Sequence, residues 1–262
     1  MVEKLAKKLM KKNLPFSDEE VRENIFYKDF LTFIKYVEEN SPKLTRLKNI
    51  QLKFLKEINE SLIKKKPWEE RVGEYILKIR SEYEMPYIQA LDALAEVLGL
   101  TRRFKGRLRI VKKAKGIFAT LPPRIQFGII WKGYIHYLNW AYLQFNENGA
   151  QIAEFLQKIQ AFIWILLRDY DFEANQGFIS LFNTLETIRE DFKITWMTAD
   201  GDVPELARWG IAEVLFDKLL LFLDLVKLDK FSEKFQLTEL GRKIIRFQVV
   251  EDKLRIIENS NN

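Results

Sequence analysis

Apolar residues recur along most of this chain at intervals of three and four, the spacing that gathers them on one side of an α-helix. Ile25–Val37 reads as a helix in this way, introduced by Ser17-Asp18-Glu19-Glu20, where a capping hydroxyl and early carboxylates meet free N–H groups. Asn49–Ile63 is a second, with Leu52, Leu55, Ile58 and Leu62 on one stripe, and Pro67 breaks the chain after it. The pattern predicts a further helix over Trp68–Arg80 and another over Tyr87–Leu98. The latter is opened by Pro86, striped by Ile88, Leu91, Ala95 and Leu98, and closed by Gly99.

After Gly99 the period changes from helical to alternating. Leu100, Arg102 and Phe104 lead into Lys105-Gly106, and Arg107-Leu108-Arg109-Ile110-Val111 follows, which predicts a tight β-hairpin with its arginines on one face. A short helix, Lys112–Thr120, comes next and stops at Pro122-Pro123. Helix, hairpin and following helix is the order of a winged helix-turn-helix unit.

That ending recurs: Leu225–Leu228 as one strand, Phe231–Lys234 as the turn, Phe235–Thr238 as the return, and a helix from Glu239. Leu108–Phe118 aligns with Phe235–Ile245 residue for residue, with Val111 in the place of Thr238 and Ala114 in the place of Gly241. Thr238 is then a helix cap. A fainter third signal lies in Tyr36–Glu39, the short extended piece Lys43–Leu47, and the helix after it.

Between the repeats, Arg124–Lys193 is helical and rich in aromatics. Phe127, Trp131, Tyr134 and Leu138 share one stripe, and Ile152, Phe155, Ile159, Phe162 and Leu166 another. This spacing favours a packed helical core over a base-stacking platform. The fold expected is mainly α with small β-hairpin wings, as tandem winged-helix units flanking an aromatic-rich helical middle. The expected segments are 1–66, 67–121, 122–202 and 203–262.

Charge separates the halves of the chain. Residues 1–120 carry 27 basic and 17 acidic residues, whereas residues 121–262 carry 16 basic and 20 acidic. Between Glu96 and Glu147 no acidic residue occurs among ten Lys and Arg, eight of which fall in Arg102–Lys115. Crowded like charges repel, so an unrelieved run of this kind points to a polyanion, nucleic acid being the commonest.

The absence of cysteine excludes disulfides, thiolate nucleophiles and Cys-ligated metals, and accords with a cytoplasmic chain. Met1–Lys12 is basic and amphipathic without the apolar block of a secretion signal. It suits either an anionic membrane surface or a short helix docked by Leu5 and Leu9. The longest apolar run, Ala161–Leu167, is too short to span a bilayer.

Phe235–Ile245 resembles the last wing strand and following helix of many prokaryotic winged-helix proteins, whose pattern is apolar-x-apolar-Thr-x-x-Gly-Arg. The whole chain also resembles an uncharacterised prokaryotic family associated with plasmids and other mobile elements. In that family a Leu-Thr-x-x-x-Asn helix, here Leu44-Thr45 to Asn49, precedes a winged unit and an aromatic block with Asn-Trp, here Asn139-Trp140. The resemblance implies winged-helix domains and DNA binding, as in a regulator or a mobile-element component, and no enzymatic activity.

In a winged helix the helix before the hairpin usually enters the major groove. Here that helix presents Gln89, Asp92 and Glu96, which phosphates repel. The better candidates are the helix with Gln51, Lys53 and Lys56, preceded by Lys43, Arg46 and Lys48, and the wing with Arg102, Arg103, Lys105, Arg107, Arg109, Lys112, Lys113 and Lys115. Gln reads adenine edges and Lys guanine. In the C-terminal unit Leu215, Phe216, Leu219, Leu220, Phe222 and Leu223 make a helix apolar almost all round, the expected dimer or partner interface.

No catalytic constellation emerges. His136, the sole histidine, has no nearby Ser or Asp spaced to work with it. Asp169–Ser180 departs from a calcium loop at Ala174 and Ser180, and Thr198–Asp202 is an ordinary turn before Pro204. The expectation is a non-enzymatic protein holding duplex DNA without cofactor or metal. The alternative is a protein–protein scaffold whose winged helices are packing modules.

Overall fold

Capping residues fix where the first helices begin. In the computed structural model, which describes residues 1–169, 183–185, 187–188, 194–229 and 234–260, α1 spans Val2–Leu9, α2 Asp18–Glu23 and α3 Ile25–Asn40. Ser17 and Glu20 form a reciprocal capping box on α2, and Asn24 breaks the chain before capping α3 through the Tyr27 N–H at 2.8 Å. The single helix expected after Ser17 is therefore two. The chain divides into two compact units: residues 1–13 with 17–138, and residues 14–16 with 139–262.

The first unit is built on α3. Phe26, Phe30, Phe33, Ile34 and Val37 are buried at helical spacing, with Phe26 edge-on to Tyr87 and Tyr134. Ser41 takes a left-handed backbone and ends the helix. Pro42–Leu44 then runs along the sheet edge, and a tight turn over Thr45–Asn49 delays α4 to Leu52–Ser61. Asp29, fully buried on α3, accepts from the Ile63 and Lys64 N–H groups (2.6 and 3.0 Å) and from the Tyr87 hydroxyl (3.0 Å), tying down the chain beyond α4.

The helix expected over Trp68–Arg80 is a hairpin, β1 (Glu69–Val72) with β2 (Tyr75–Lys78). Gly73 at φ +61° makes the two-residue turn, and a Glu69–Lys78 ion pair of 2.9 Å closes the open end. No helical stripe competes, since every residue of β2 is exposed. α5 (Pro86–Val97) follows a 3₁₀ turn at Glu82–Glu84 and is covered on almost every side by α3, α4, that turn and α7 (Pro123–His136). Gly133 permits the α7 contact, because a Cβ there would lie 2.8 Å from Leu98 Cδ2. β3 (Thr101–Phe104), β4 (Arg107–Ile110) and α6 (Lys112–Ala119) complete this unit, with Val2, Leu5 and Leu9 of α1 buried and α1 packed on α6 and α7. Docking of α1 by its apolar side was one of the two expectations for the N-terminus.

Phe127, Trp131, Tyr134 and Leu138 are buried, as the helical stripe requires. They belong to the first unit, so the expected aromatic middle domain of 122–202 is cut at residue 138. Its remainder joins the C-terminal elements. The second unit contains α8 (Glu147–Lys158), α9 (Gln160–Asp169), a small hairpin β5 (Met197–Thr198) with β6 (Gly201–Asp202), and α10 (Pro204–Ala212). A π-helical segment, Glu213–Leu220, continues α10, followed by β7 (Val226–Asp229), β8 (Lys234–Leu237) and α11 (Glu239–Ser260). α8 and α9 meet at 73° at Ile159, which resets the register. Ile163, Trp164 and Leu167 turn inward, and Phe162, expected in the core, is exposed. Among the described residues no single helix is long and apolar enough to cross a membrane.

Candidate nucleic-acid interface

The β3–β4 hairpin springs from the end of α5. Gly99, at φ +75°, turns the chain so that Leu100 N–H donates to Ala95 O at 2.9 Å. At the tip both Lys105 (φ +50°) and Gly106 (φ +67°) are left-handed, as a two-residue hairpin turn demands. Cross-strand pairs are Arg102 with Arg109, Arg103 with Leu108, and Phe104 with Arg107. Alternation therefore places Arg102, Phe104, Arg107 and Arg109 on one face, and Thr101, Arg103, Leu108 and Ile110 on the other.

Arg103 is thus the exception among the four arginines expected on one face. It turns onto α5, where it donates to Asp92 Oδ2 at 2.7 Å and to Glu96, while its Nε–H reaches Lys48 O at 3.2 Å. Asp92 is 1% and Glu82 3% exposed, and Glu82 accepts from Ile50 N–H at 2.6 Å. The two carboxyl groups lie close enough to act on each other's charge. Burial pushes both upward from the ordinary carboxylate range; the Asp92 charge raises Glu82 further, and Arg103 opposes the rise at both.

The expectation of a hairpin untouched by carboxylates is corrected here. Beyond Arg103, Lys115 pairs with Glu38 at 3.0 Å and Lys56 lies 4.0 Å from Glu60. Lys113 stands close enough to Glu3 to help Lys7 lower that carboxyl. Arg107 is half-buried, with Nη1 donating to Ser41 O at 2.9 Å. Gln51 is not presented for base reading either: its amide donates to Leu44 O at 3.2 Å.

Of the cations expected to meet nucleic acid, ten make no ion pair among the described residues; with Arg107 bonded to Ser41 O and Lys113 acting on Glu3, eight are left: Lys43, Arg46, Lys48, Lys53, Arg102, Lys105, Arg109 and Lys112. Backbone bonds bring their carriers together. Leu44 N–H donates to Gly106 O (2.8 Å) and Leu108 N–H to Pro42 O (2.9 Å), so Pro42–Leu44 lies as an edge against β4. The Arg103–Lys48 bond fastens the 45–49 turn beside β3. On the outer hairpin face Arg102, Lys105 and Arg109 surround the Phe104 ring at 5.1, 5.5 and 5.5 Å from its centroid. The alternation Arg102-x-Phe104 carries that ring's position in the sequence, although its chemistry is easily passed over beside the charges.

The two helices that precede the hairpins, neither expected to read bases, are enclosed. Gln89 and Asp92, expected on the surface of α5, are buried, and Glu96 is held by Arg103. In the second unit Leu215, Phe216, Leu219, Leu220, Phe222 and Leu223 are all buried. The expectation of a partner interface on them is corrected: an all-round apolar helix serves there as internal core, packed on α8 and α10. Even Lys218 is 5% exposed, with Nζ bonding Leu143 O, Gln144 Oε1 and Glu213.

The repeated corner is common to both units. Asp224, at φ +57°, stands where Gly99 does; Leu225 N–H bonds Leu220 O, and Thr238 N–H bonds Leu225 O as Val111 N–H bonds Leu100 O. Thr238 Oγ1 caps α11 by accepting from Gly241 N–H at 3.0 Å. The charge does not repeat, because Asp229 and Glu233 interrupt the lysines of the second hairpin.

Among the described residues no group of three His, Asp or Glu side chains is placed to hold a metal ion. The calcium-like segment beyond Asp169 lies outside the described residues, as do Phe172, Phe178, Phe182 and the turn residues 230–233. No family model, curated protein or solved structure matches the chain.

Proposed function

We propose that this chain is a non-enzymatic protein that holds duplex DNA on the surface formed by the 43–48 segment, the start of α4 and the outer face of the β3–β4 hairpin. One observation carries the reading: eight cations unmatched by carboxylates are gathered by main-chain bonds joining residues 42–44 to the hairpin. Phosphate is the ligand such a surface lacks. The order α3, edge segment 42–44, α4, α5, β3, β4, α6 supports a winged-helix reading of the first unit, with the β1–β2 hairpin inserted before α5. The corner shared by the second unit supports a tandem arrangement.

With Arg103 of the hairpin and Lys115 of α6 occupied, about five cations meet phosphates, which gives a log–log salt slope near −4.5. Anisotropy of a labelled duplex should then show affinity falling about five-hundredfold between 50 and 200 mM salt. Arg102→Glu with Arg46→Glu should weaken binding sharply with circular dichroism intact. Wild-type affinity indifferent to salt, or no binding at 50 mM salt, overturns the proposal. A second reading, a protein–protein scaffold, draws on the β1–β2 hairpin, whose Tyr75, Ile76 and Leu77 are exposed by 77%, 53% and 54%. Failure of the DNA experiment would pass the assignment to it.

A further inference from the structure

We infer that the Phe104 face of the β3–β4 hairpin takes the unpaired bases of DNA at the end of a duplex, stacking a base on the phenyl ring between Arg102, Lys105 and Arg109. The inference rests on the DNA-binding reading and adds a ligand class to it. A lone exposed phenylalanine is commonplace on protein surfaces. This one is 41% exposed, sits next to the tip turn, and lies in a stretch with no acidic residue from 97 to 146.

One further observation points outward from the hairpin. Arg102 and Arg109 are directly opposite across the strands, an arrangement of like charges that destabilises a hairpin unless an anion intervenes. A phosphate beside the ring would relieve the repulsion, and an adjoining base would cover the ring. Intact duplex offers the phosphate but hides its base faces within the stack. Only an unpaired nucleotide supplies both, and aromatic rings interleaved with cations are the usual platform for one. Base edges are not the alternative readout, since α5 is sealed and Gln51 is engaged.

The test compares a blunt DNA duplex with the same duplex carrying a short single-stranded overhang that contains 2-aminopurine. Wild-type protein should bind the overhang form about tenfold more tightly at equal salt, and the probe's emission should change on stacking. Phe104→Ala and Phe104→Leu should each bring that preference down to about the blunt-duplex level, and Phe104→Trp should retain it. Thermal melts of each variant establish that the fold is intact. Salt-dependent blunt-duplex binding with no overhang preference, or a preference unaltered in Phe104→Ala, overturns this inference alone. Absence of all DNA binding overturns both readings, and an RNA overhang held equally well overturns the assignment to DNA.

Discussion

Arg102 and Arg103 are neighbours in sequence and opposites in role, and alanine substitution at each separates the two. Removing Arg103 leaves Asp92, 1% exposed, without its cation, and releases the 45–49 turn from β3. Breaking a buried pair from one side costs about 3 kcal/mol or more, because a charge stays buried uncompensated. For a unit of this size that lowers the melting temperature by roughly 10 °C. The loss depends on pH with a definite sign. Burial already pushes Asp92 upward and Arg103 holds it down, so the variant's Asp92 takes up a proton in the folded state. A raised carboxyl favours folding at low pH and loses that advantage as pH rises, so Arg103→Ala should be more damaging at pH 8 than at pH 5. Asp92→Asn in the same chain should recover part of the loss. Arg102→Ala should change stability by less than about 0.5 kcal/mol and flatten the salt slope for duplex DNA by about one. Calorimetry at the two pH values, with anisotropy at several salt concentrations, measures all of this. An Arg103→Ala protein melting within a degree of wild type would refute the clamp.

Two further outcomes follow from close contacts. Gly241→Ala should destabilise the second unit by about 2–3 kcal/mol in urea melts, because the new Cβ would sit 2.2 Å from the Leu225 carbonyl oxygen, a backbone atom with no room to move. Glu82 is pushed up to about 8 by burial and by Asp92, so the folded state keeps a proton that the unfolded chain sheds. Stability of the first unit should therefore fall from about pH 4.5 to about pH 8 by up to a few kcal/mol. Glu82→Gln should flatten that decline, and an unchanged profile in denaturant melts would count against the raised Glu82 carboxyl.

Local chemistry made much of this structure legible. Caps, glycine turns and helical spacing located α3, α4, α5, the β3–β4 hairpin and the Thr238 cap, because each is decided within a few residues. What stayed hidden depends on partners further along the chain. The carboxylates that neutralise Arg103 stand seven and eleven residues upstream, on α5, outside the acid-free stretch that drew attention to the hairpin. Gln89 and Asp92 looked exposed because α5 alone has an apolar stripe; Glu82 of the 3₁₀ turn and Arg103 of β3 meet its polar side at Asp92. Trp68–Arg80 passed for a helix because four-residue strands leave too short a pattern to distinguish from one helical turn. The apolar segment after α10 looked like an interface for the same reason that the polar side of α5 looked exposed: a helix's neighbours are not written in its own residues.

Sealing α5 also constrains what kind of DNA recognition this surface supports. Cations alone position a duplex through its phosphates and carry no sequence information; discrimination needs side chains at base edges. The helix that would supply them is enclosed, and the nearest amide, Gln51, is bonded to its own backbone. What the surface retains besides charge is one aromatic ring. If the proposed reading holds, a surface so equipped would distinguish DNA by form, paired against unpaired, more readily than by sequence. On the proposed reading, holding duplex through the loop and hairpin cations and engaging its frayed end through Phe104 would be two consequences of one arrangement, in which Arg103 fastens the hairpin to α5 and leaves its outer face exposed.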